Sequence, residues 1–177
     1  SKIFIDEILN AGLLIQKSKS KFLKIKKKIE IKNNGKLMSV FPNKSNDLEV
    51  SLKLNYNNKI IGNQNFKYIH SNSHYLKIYD CRTFCLQEDL EKIFAMGLGK
   101  GGSLDNAIIV SGEKVLNQDG LRYKDEFVRH KVLDCVGDLY LSGYKVIGKI
   151  YGYQSGHEMT AMLLKEIFKK KSNYEII

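Results

Sequence analysis

The sequence predicts an α+β fold, a two-layer sandwich in which a mainly antiparallel sheet packs against a pair of helices. Two observations favour this class. In two segments of the first third of the chain, apolar and polar residues alternate with a period of two, which is typical of half-buried strands. Nearer the C-terminus, two longer segments have the apolar spacing of amphipathic helices. Strands that precede two long helices indicate one sheet covered by a helical layer.

The size and charge of the chain limit the possible functions only loosely. With 177 residues it is long enough for one domain with a hydrophobic core. Its net charge of +10 at pH 7 would suit an anionic partner such as a nucleic acid. However, lysine far outnumbers arginine, and isoleucine and asparagine are frequent, a mixture that an AT-rich coding composition also produces. The charge alone therefore does not indicate a binding partner.

The cysteines and the apolar segments indicate a compartment. Cys81, Cys85 and Cys135 are scattered and odd in number, so the sequence predicts no disulfide framework and favours the reducing cytoplasm. No segment approaches the ~20 apolar residues that a membrane-spanning helix needs. We expect no signal peptide at the start of the chain. Because the chain begins without methionine, we expect it to be a portion of a longer protein.

The N-terminal part predicts a helix and a set of strands. A short helix is predicted over residues 3–14, with Ala11-Gly12 as its stop signal. An alternating strand follows at 23–31, interrupted at Lys27, then a return strand at 37–41 and a second alternating strand at 48–54. The turn at 33–35 has the sequence Asn-Asn-Gly and joins the first two strands as a hairpin.

The middle of the chain predicts a strand, a helix and a second strand. The polar segment 57–73 is predicted to be a loop with one short strand, and Tyr75, Ile78 and Tyr79 lead into a strand that reaches residue 84. A helix over 87–96 and a buried strand over 107–110 complete a β-α-β insert. The glycine-rich segment between them lacks the Gly-Lys-Ser/Thr order of a phosphate-binding loop, which favours a simple tight connection.

Two amphipathic helices and a strand end the chain. After a loop over 115–121, the helix over 127–139 has one apolar stripe. The stripe consists of Val128, Val132, Cys135, Val136 and Leu139. A strand is predicted over 144–153. The pattern Ser155-x-x-Glu158 then predicts a capping box for the last helix, which three lysines at 169–171 end.

The polar side of the helix over 127–139 carries a candidate site. His130, Asp134 and Asp138 each lie one turn beyond the last, with Lys131 at the edge of the same arc. An imidazole and a carboxylate one turn apart can bind one metal ion, and the second carboxylate can hold a neighbouring catalytic group. A solvated polar face is the alternative, and the spacing alone leaves both open.

Four motifs carry a resemblance to a known family. They are 117–122 (Asn-Gln-Asp-Gly-Leu-Arg), 125–134 (Asp-Glu-Phe-Val-Arg-His-Lys-Val-Leu-Asp), 137–139 (Gly-Asp-Leu) and 155–157 (Ser-Gly-His). Together they resemble the bacterial UDP-3-O-acyl-N-acetylglucosamine deacetylases, zinc hydrolases of the committed step of lipid A synthesis. The similarity is strong from about Arg82 onwards and weaker, mainly in strand pattern, before Tyr79.

The resemblance implies a division of the chain and a partner for it. That family has two similar α/β domains, so residues 1–14 would be the end of a missing N-terminal domain, with its helix and linker. Residues 15–177 would be the second catalytic half, with an insert over about 82–110 that forms a passage for the substrate's fatty acyl chain. The N-terminal domain would be the partner that supplies the third zinc ligand and the general base.

The zinc site implied by the resemblance is incomplete in this chain. His130 and Asp134 match two zinc ligands. The third ligand and the glutamate base belong, in the family, to a His-Lys-x-Glu-His segment. The histidines here are His70, His74, His130 and His157, and none lies in such a segment. The isolated chain is therefore expected to be inactive alone.

The resemblance also implies roles for further residues. The reaction would remove the acetyl group from the amide nitrogen of a UDP-sugar lipid precursor in the cytoplasm, close to the membrane surface, with zinc activating water. His157 would act as the protonated partner of the leaving amine or the oxyanion, with Asp138 restoring the charge that a helix N-terminus disfavours. An exposed histidine at a helix start is the alternative. Lys131 would lie near the phosphates and the reacting carbonyl, or would simply be solvated.

The insert would supply substrate contacts. By the same resemblance, Thr83 lies near the scissile amide as a catalytic residue and Phe84 lies beside it. Asp89, Gly102 and Ile109 would also bind substrate, the last two by lining the acyl passage. An apolar helix in this insert is equally what a hydrophobic core needs.

Two rival functions remain compatible with the sequence. One is a basic nucleic-acid-binding module, and the other is a non-catalytic interaction domain. Residues 17–28 are basic, but half of this segment alternates as a strand with a buried face, so no nucleic-acid partner is expected. Metal content that depends on His130 and Asp134 would distinguish the deacetylase from both rivals.

Overall fold

A seven-stranded mixed sheet forms the main layer of the structure, a computed structural model that describes residues 2–12, 14–70 and 74–177. The strands of the chain are β1 (Phe22–Ile25), β2 (Ile29–Asn33), β3 (Lys36–Phe41), β4 (Leu48–Asn55), β5 (Asn63–Ile69), β6 (Thr83–Leu86), β7 (Ala107–Ser111), β8 (Lys114–Val115), β9 (Lys145–Tyr153) and β10 (Tyr174–Ile176). The helices are α1 (Lys2–Ala11), α2 (Leu90–Ala95), α3 (Glu126–Leu139) and α4 (His157–Phe168). Among these helices, none has both the length and the apolar character needed to cross a membrane.

Strand β9 organises the main sheet because it pairs with three other strands. It runs parallel to β1 and β4 and antiparallel to β3. The registers place Ile150 opposite both Val40 and Val50, and all three side chains are buried. The remaining pairings, β1 with β10, β2 with β3 and β4 with β5, are antiparallel. The predicted α+β sandwich with a mainly antiparallel sheet is confirmed.

Helices α3 and α4 cover one face of this sheet. Helix α3 packs against β4 and β5, α4 packs against β2 and β3, and the two helices contact each other. The predicted apolar stripe of α3, from Val128 to Leu139, is buried, and it meets Met159 and Leu163 of α4 in one core. Burial of each such side chain contributes roughly 1.5–3 kcal/mol. The polar side of α3 is therefore left facing away from the sheet.

The insert is a β-α-β unit, as predicted. Strands β6 and β7 pair in parallel on either side of α2, and β8 extends this second, three-stranded sheet. The predicted helix over 87–96 is shorter, with a 3-10 turn at Gln87–Asp89 and the α-helix proper at Leu90–Ala95. Gly97 and Gly99 then adopt positive φ angles of 72° and 71°, which favour glycine and end the helix.

Several predicted elements in the first half of the chain were wrong in detail. The strand predicted over 23–31 is two strands, because the chain leaves the edge of β9 after Ile25 and joins β3 at Ile29. The strand expected from residue 75 begins only at Thr83, after a 3-10 turn at His74–Lys77. The segment 57–73, predicted as a loop with one short apolar strand, contains the seven-residue strand β5, which is longer and more polar than predicted. Residue 13 of the predicted first helix and residues 71–73 of this loop lie outside the described residues.

The predicted capping box at the start of the last helix was also wrong. Gly156 is the N-cap residue, and no side chain makes a capping hydrogen bond. Ser155 is buried against Gly152, where an added Cβ would lie 2.4 Å from the Ser155 hydroxyl. The serine side chain is thus used in packing against β9 rather than in capping.

Candidate metal and acid–base centre

Helices α3 and α4 bring the predicted polar residues together. His157 is the first residue of α4, and its Nδ1 lies 2.8 Å from Oδ2 and 3.0 Å from Oδ1 of Asp138 on α3. Its Nε2 lies 3.7 Å from Oδ2 of Asp134, one turn earlier on α3. The side chain of His157 is 67% exposed, whereas that of Asp134 is 12% exposed. A largely solvent-exposed histidine therefore lies beside a largely buried carboxylate.

His130 and Asp134 form a close pair on the same face. Nε2 of His130 lies 3.2 Å from Oδ1 of Asp134, and Nδ1 of His130 lies 3.1 Å from the backbone carbonyl oxygen of Cys81. A carbonyl can only accept, so Nδ1 carries the proton in the neutral ring and donates it to Cys81. Burial lowers the pKa of His130 below its ordinary value, although Asp134 and the Cys81 carbonyl act in the opposite direction. In the neutral ring, the hydrogen bond to Cys81 therefore leaves a lone pair on Nε2.

The geometry of this pair suits a divalent metal ion. With the proton on Nδ1, Nε2 and the carboxylate oxygen both present lone pairs, and their separation of 3.2 Å is compatible with one cation bound by both. Two ligand atoms at 2.0–2.2 Å from a tetrahedral zinc ion are about 3.3 Å apart. Across the described ranges, no group of three or more His, Cys, Asp or Glu side chains is arranged to hold a metal. These residues thus offer two ligands at this position.

Cys81 contributes its backbone and not its sulfur to the centre. Burial raises the pKa of its thiol to about 12, so the thiol is protonated at neutral pH and is a poor ligand or nucleophile. The other two cysteines also carry free thiols, as the sequence predicts.

Lys131 and Phe84 connect the centre to the insert. Nζ of Lys131 lies 3.5 Å from Oδ2 of Asp134 and 5.7 Å from the centroid of the Phe84 ring. The Phe84 ring packs edge-on against Phe127 of α3, with 4.9 Å between centroids. Thr83, the exposed first residue of β6, precedes it. Strand β6 therefore runs directly beside the polar residues of α3.

An apolar cavity of about 640 Å³ lies within the insert, next to the centre. It is lined by Thr83, Phe84, Cys85, Gln87, Leu90, Ile93, Phe94, Gly99, Gly101, Gly102, Ser103, Leu104, Asn106, Ala107, Ile109 and Leu116. Two of the residues predicted to line an acyl passage, Gly102 and Ile109, are among them. Asp89 is not, and its carboxylate lies 3.9 Å from Nζ of Lys92. Phe84 borders both the cavity and Lys131, so the cavity begins where the polar centre ends.

A buried amide holds the wall of this cavity, and sequence reasoning gave it no role. Nδ2 of Asn117 donates to the carbonyl oxygens of Leu104 and Ala107, and Oδ1 accepts from the N–H of Ile109. These bonds tie the glycine-rich segment to β7. Asn117 is the first residue of the motif over 117–122, and that position was the signal from which a role for it could have been predicted.

A buried ion pair between Arg82 and Glu126 was also missed. Arg82 is 4% exposed and Glu126 is 0% exposed. Nε of Arg82 donates to Oε1 of Glu126 at 3.0 Å, and Nη2 donates to Oε2 at 3.2 Å. Burial acts to raise the pKa of Glu126, but the hydrogen bonds that it accepts from Arg82 and from the backbone N–H of Arg122, with the charge of Arg82, outweigh this and hold the pKa below its ordinary value. The local periodicity of a sequence cannot indicate a pairing between residues as far apart along the chain as Arg82 and Glu126.

Comparison with known proteins gives a consistent result. A family model described as UDP-3-O-acyl N-acetylglycosamine deacetylase matches residues 1–169. Proteins named UDP-3-O-acyl-N-acetylglucosamine deacetylase are similar to the chain. One from Campylobacter jejuni subsp. doylei is 39% identical over 168 residues, 94% of this chain and 56% of the relative. One from Hahella chejuensis is 37% identical over 177 residues, 98% of this chain and 58% of the relative. The chain thus spans little more than half the length of these relatives.

Proposed function

Because the chain belongs to the UDP-3-O-acyl N-acetylglycosamine deacetylase family, we propose that it is the second half of a zinc-dependent hydrolase. Its reaction removes the N-acetyl group from a UDP-linked, 3-O-acylated glucosamine, the committed step of lipid A synthesis, in the cytoplasm. The observation that carries this proposal is the 3.2 Å approach of His130 Nε2 to Asp134 Oδ1 beside a histidine held by a carboxylate. Neither a nucleic-acid-binding module nor an interaction domain requires that arrangement.

In this proposal His130 and Asp134 hold the zinc ion. A bound zinc ion supplies Lewis acidity at the amide carbonyl. The third ligand and the glutamate base come from the N-terminal domain of the same protein, so the chain alone is inactive. The relatives support this division, since the chain covers only 56–58% of the two described above.

His157 is the acid of the proposed reaction. Asp138 accepts the Nδ1 proton at 2.8 Å, which fixes the ring and turns Nε2 towards the metal pair. An Nε2–H group there can donate to the leaving amine or stabilise the oxyanion. Lys131, 3.5 Å from Asp134, adds positive charge where the substrate's carbonyl and phosphates lie. Thr83 at the edge of β6 contacts the scissile amide.

His157→Ala in the full-length protein should keep zinc and lower kcat by about 10²-fold or more, as expected for loss of a general acid or oxyanion donor. Zinc content by elemental analysis and turnover of the UDP-linked substrate are the measurements. Glu158→Gln, a change of charge one residue along the same helix, is the matched control and should leave both unchanged. Loss of zinc from His157→Ala would show that His157 is a ligand instead.

Asp138→Asn should act through the same histidine. An amide can present its N–H₂ group to Nδ1, so the ring loses its fixed acceptor and its orientation. We expect kcat to fall, and the double variant with His157→Ala to be little worse than His157→Ala alone, because both changes remove one function. Fully additive losses in the double-mutant cycle would contradict this coupling.

The apolar cavity is the proposed site of the fatty acyl chain. Ile109→Trp should fill part of its volume of about 640 Å³ and exclude the end of a long chain. Losing two or three buried methylene groups costs about 2 kcal/mol, or roughly 30-fold in kcat/KM. The matched control is a substrate with a short acyl group, for which the variant should equal the wild type. Equal losses with both substrates would place the acyl chain elsewhere.

A further inference from the structure

The peptide unit between Cys81 and Arg82 is held at both ends by helix α3. Its carbonyl oxygen accepts from Nδ1 of His130 at 3.1 Å, and its N–H, on Arg82, donates to Oε1 of Glu126 at 3.0 Å. Glu126 and His130 are four residues apart, so their side chains lie one above the other on the same face of α3. The carbonyl and the N–H of a trans peptide point in opposite directions, so this unit spans the turn between them.

Glu126 is itself fixed on every side. Its Oε2 accepts from the backbone N–H of Arg122 at 2.6 Å, and both of its oxygens accept from the guanidinium of Arg82. That guanidinium also donates to the carboxylate of Asp119 and to the carbonyl oxygen of Gly120. A buried ion pair contributes little net stability compared with apolar residues of similar volume. The more specific effect of the Arg82–Glu126 pair is to fix the Glu126 carboxylate, and with it the position of the Arg82 backbone N–H that donates to it.

The position of this N–H determines the tautomer of His130. The peptide unit is planar, so fixing its N–H also fixes the Cys81 carbonyl that faces Nδ1. That carbonyl selects the Nδ1–H form and leaves a lone pair on Nε2. If the carbonyl moved away, the neutral ring could carry its proton on Nε2 and donate it to Asp134, 3.2 Å away. That hydrogen bond would occupy the place of the metal.

We propose that Glu126 is a positioning residue for the metal pair. Through the Cys81–Arg82 peptide, it holds His130 in the tautomer and orientation that leave Nε2 free for a divalent cation. The inference rests on the proposed function and adds to it a residue that does not contact the metal or the substrate. The same peptide leads directly into Thr83 and Phe84, so one carboxylate sets the position of both the ligand and the start of β6.

Two double variants distinguish the role of Glu126 as hydrogen-bond acceptor for the Arg82 N–H from its role in the ion pair with the Arg82 guanidinium. Arg82→Met removes the cation in both, and Glu126→Gln then keeps an oxygen acceptor for the residue 82 N–H, whereas Glu126→Leu removes it. In the full-length, metal-free protein we expect Arg82→Met/Glu126→Leu to bind Zn²⁺ about 10–100-fold more weakly than wild type, the usual effect of losing a residue that orients a ligand. Arg82→Met/Glu126→Gln should stay within about threefold of wild type. Competition with a chromogenic chelator measures both affinities.

Imidazole ¹⁵N NMR of the metal-free protein reports the tautomer of His130, which would stay unchanged in the variants if Glu126 had only a structural role. Wild type and the glutamine variant should show His130 with its proton on Nδ1, and the leucine variant should show a mixture with the Nε2–H form. Equal zinc affinity in the two double variants would overturn the proposal. So would an Nε2–H tautomer in wild type, a result that decides the matter even if neither variant folds. Wild-type protein that binds no zinc would instead refute the proposed function.

Discussion

Replacing Asp134 with alanine in the full-length protein should remove zinc and deacetylation together. The two proposed ligands from this chain are His130 and Asp134, and their Nε2 and Oδ1 atoms lie 3.2 Å apart. Without the carboxylate, the neutral imidazole alone remains on α3, and the Lewis acidity at the amide carbonyl is lost with the metal. The loss of several kcal/mol of transition-state stabilisation corresponds to a fall in kcat/KM of roughly 10³-fold or more. Elemental analysis and turnover of the same preparation are the measurements.

The matched control for this change lies immediately before the same helix. Asp125→Ala, like Asp134→Ala, removes one carboxylate, but this one precedes the first turn of α3. Asp125 pairs with Arg129 at 2.7 Å and not with His130. It should retain zinc. A full complement of zinc in purified Asp134→Ala would exclude Asp134 as a ligand, and turnover without zinc would exclude the metal-dependent reaction itself.

Arg82→Met should be the most destabilising single substitution among those proposed here. It leaves the carboxylate of Glu126, which is 0% exposed, without its cation, and breaking a buried pair in this way costs about 3–5 kcal/mol. Denaturant unfolding of wild type and variant gives this difference directly. Adding Glu126→Leu should recover part of the loss, because the uncompensated charge is then gone. A double variant less stable than Arg82→Met would contradict this account.

The same carboxylate predicts how stability depends on pH. The pKa of Glu126 in the folded chain is held below its ordinary value of 4.5. Its contribution to the free energy of unfolding is therefore complete above pH 4.5 and is lost as pH falls through the folded-state pKa. Glu30 and Glu49 also have lowered pKa values, so the wild type loses stability from several groups in acid. The Arg82→Met/Glu126→Leu variant should lose less of its stability over this range than wild type does.

Elements with a strong local period were predictable from the sequence. The stripe from Val128 to Leu139 has a spacing that only a helix can bury on one side, and Leu48 to Leu54 has one that suits only a strand. The polar arc of α3 followed from the same spacing, because residues one turn apart share a face. The fold class therefore required no information beyond the periodicity and the order of the elements.

Features that depend on distant contacts were not predictable in this way. Strand β5 is held by its pairing with β4, so the pattern of its own mostly polar residues predicted only a short apolar strand in this segment. The Arg82–Glu126 pair and the bonds of Asn117 join segments that only the folded chain brings together. In the basic segment over 17–28, Lys26 is paired with the distant Glu175, and Lys28 is paired with the nearby Glu30. Both pairings lower the free charge that a count of lysines suggests.

The central position of β9 has a consequence for how the chain acquires its structure. Val50 pairs with Ile150, about 100 residues later. Both pairing partners of β1, the strands β9 and β10, also lie near the end of the chain. During synthesis, β1 to β5 leave the ribosome long before the strand that joins β1, β3 and β4 exists. Contacts this far apart along the chain slow folding, and unpaired strand edges are prone to aggregate. The hairpin of β2 and β3 and the pair of β4 and β5 can form early, but they become one sheet only when β9 inserts between them.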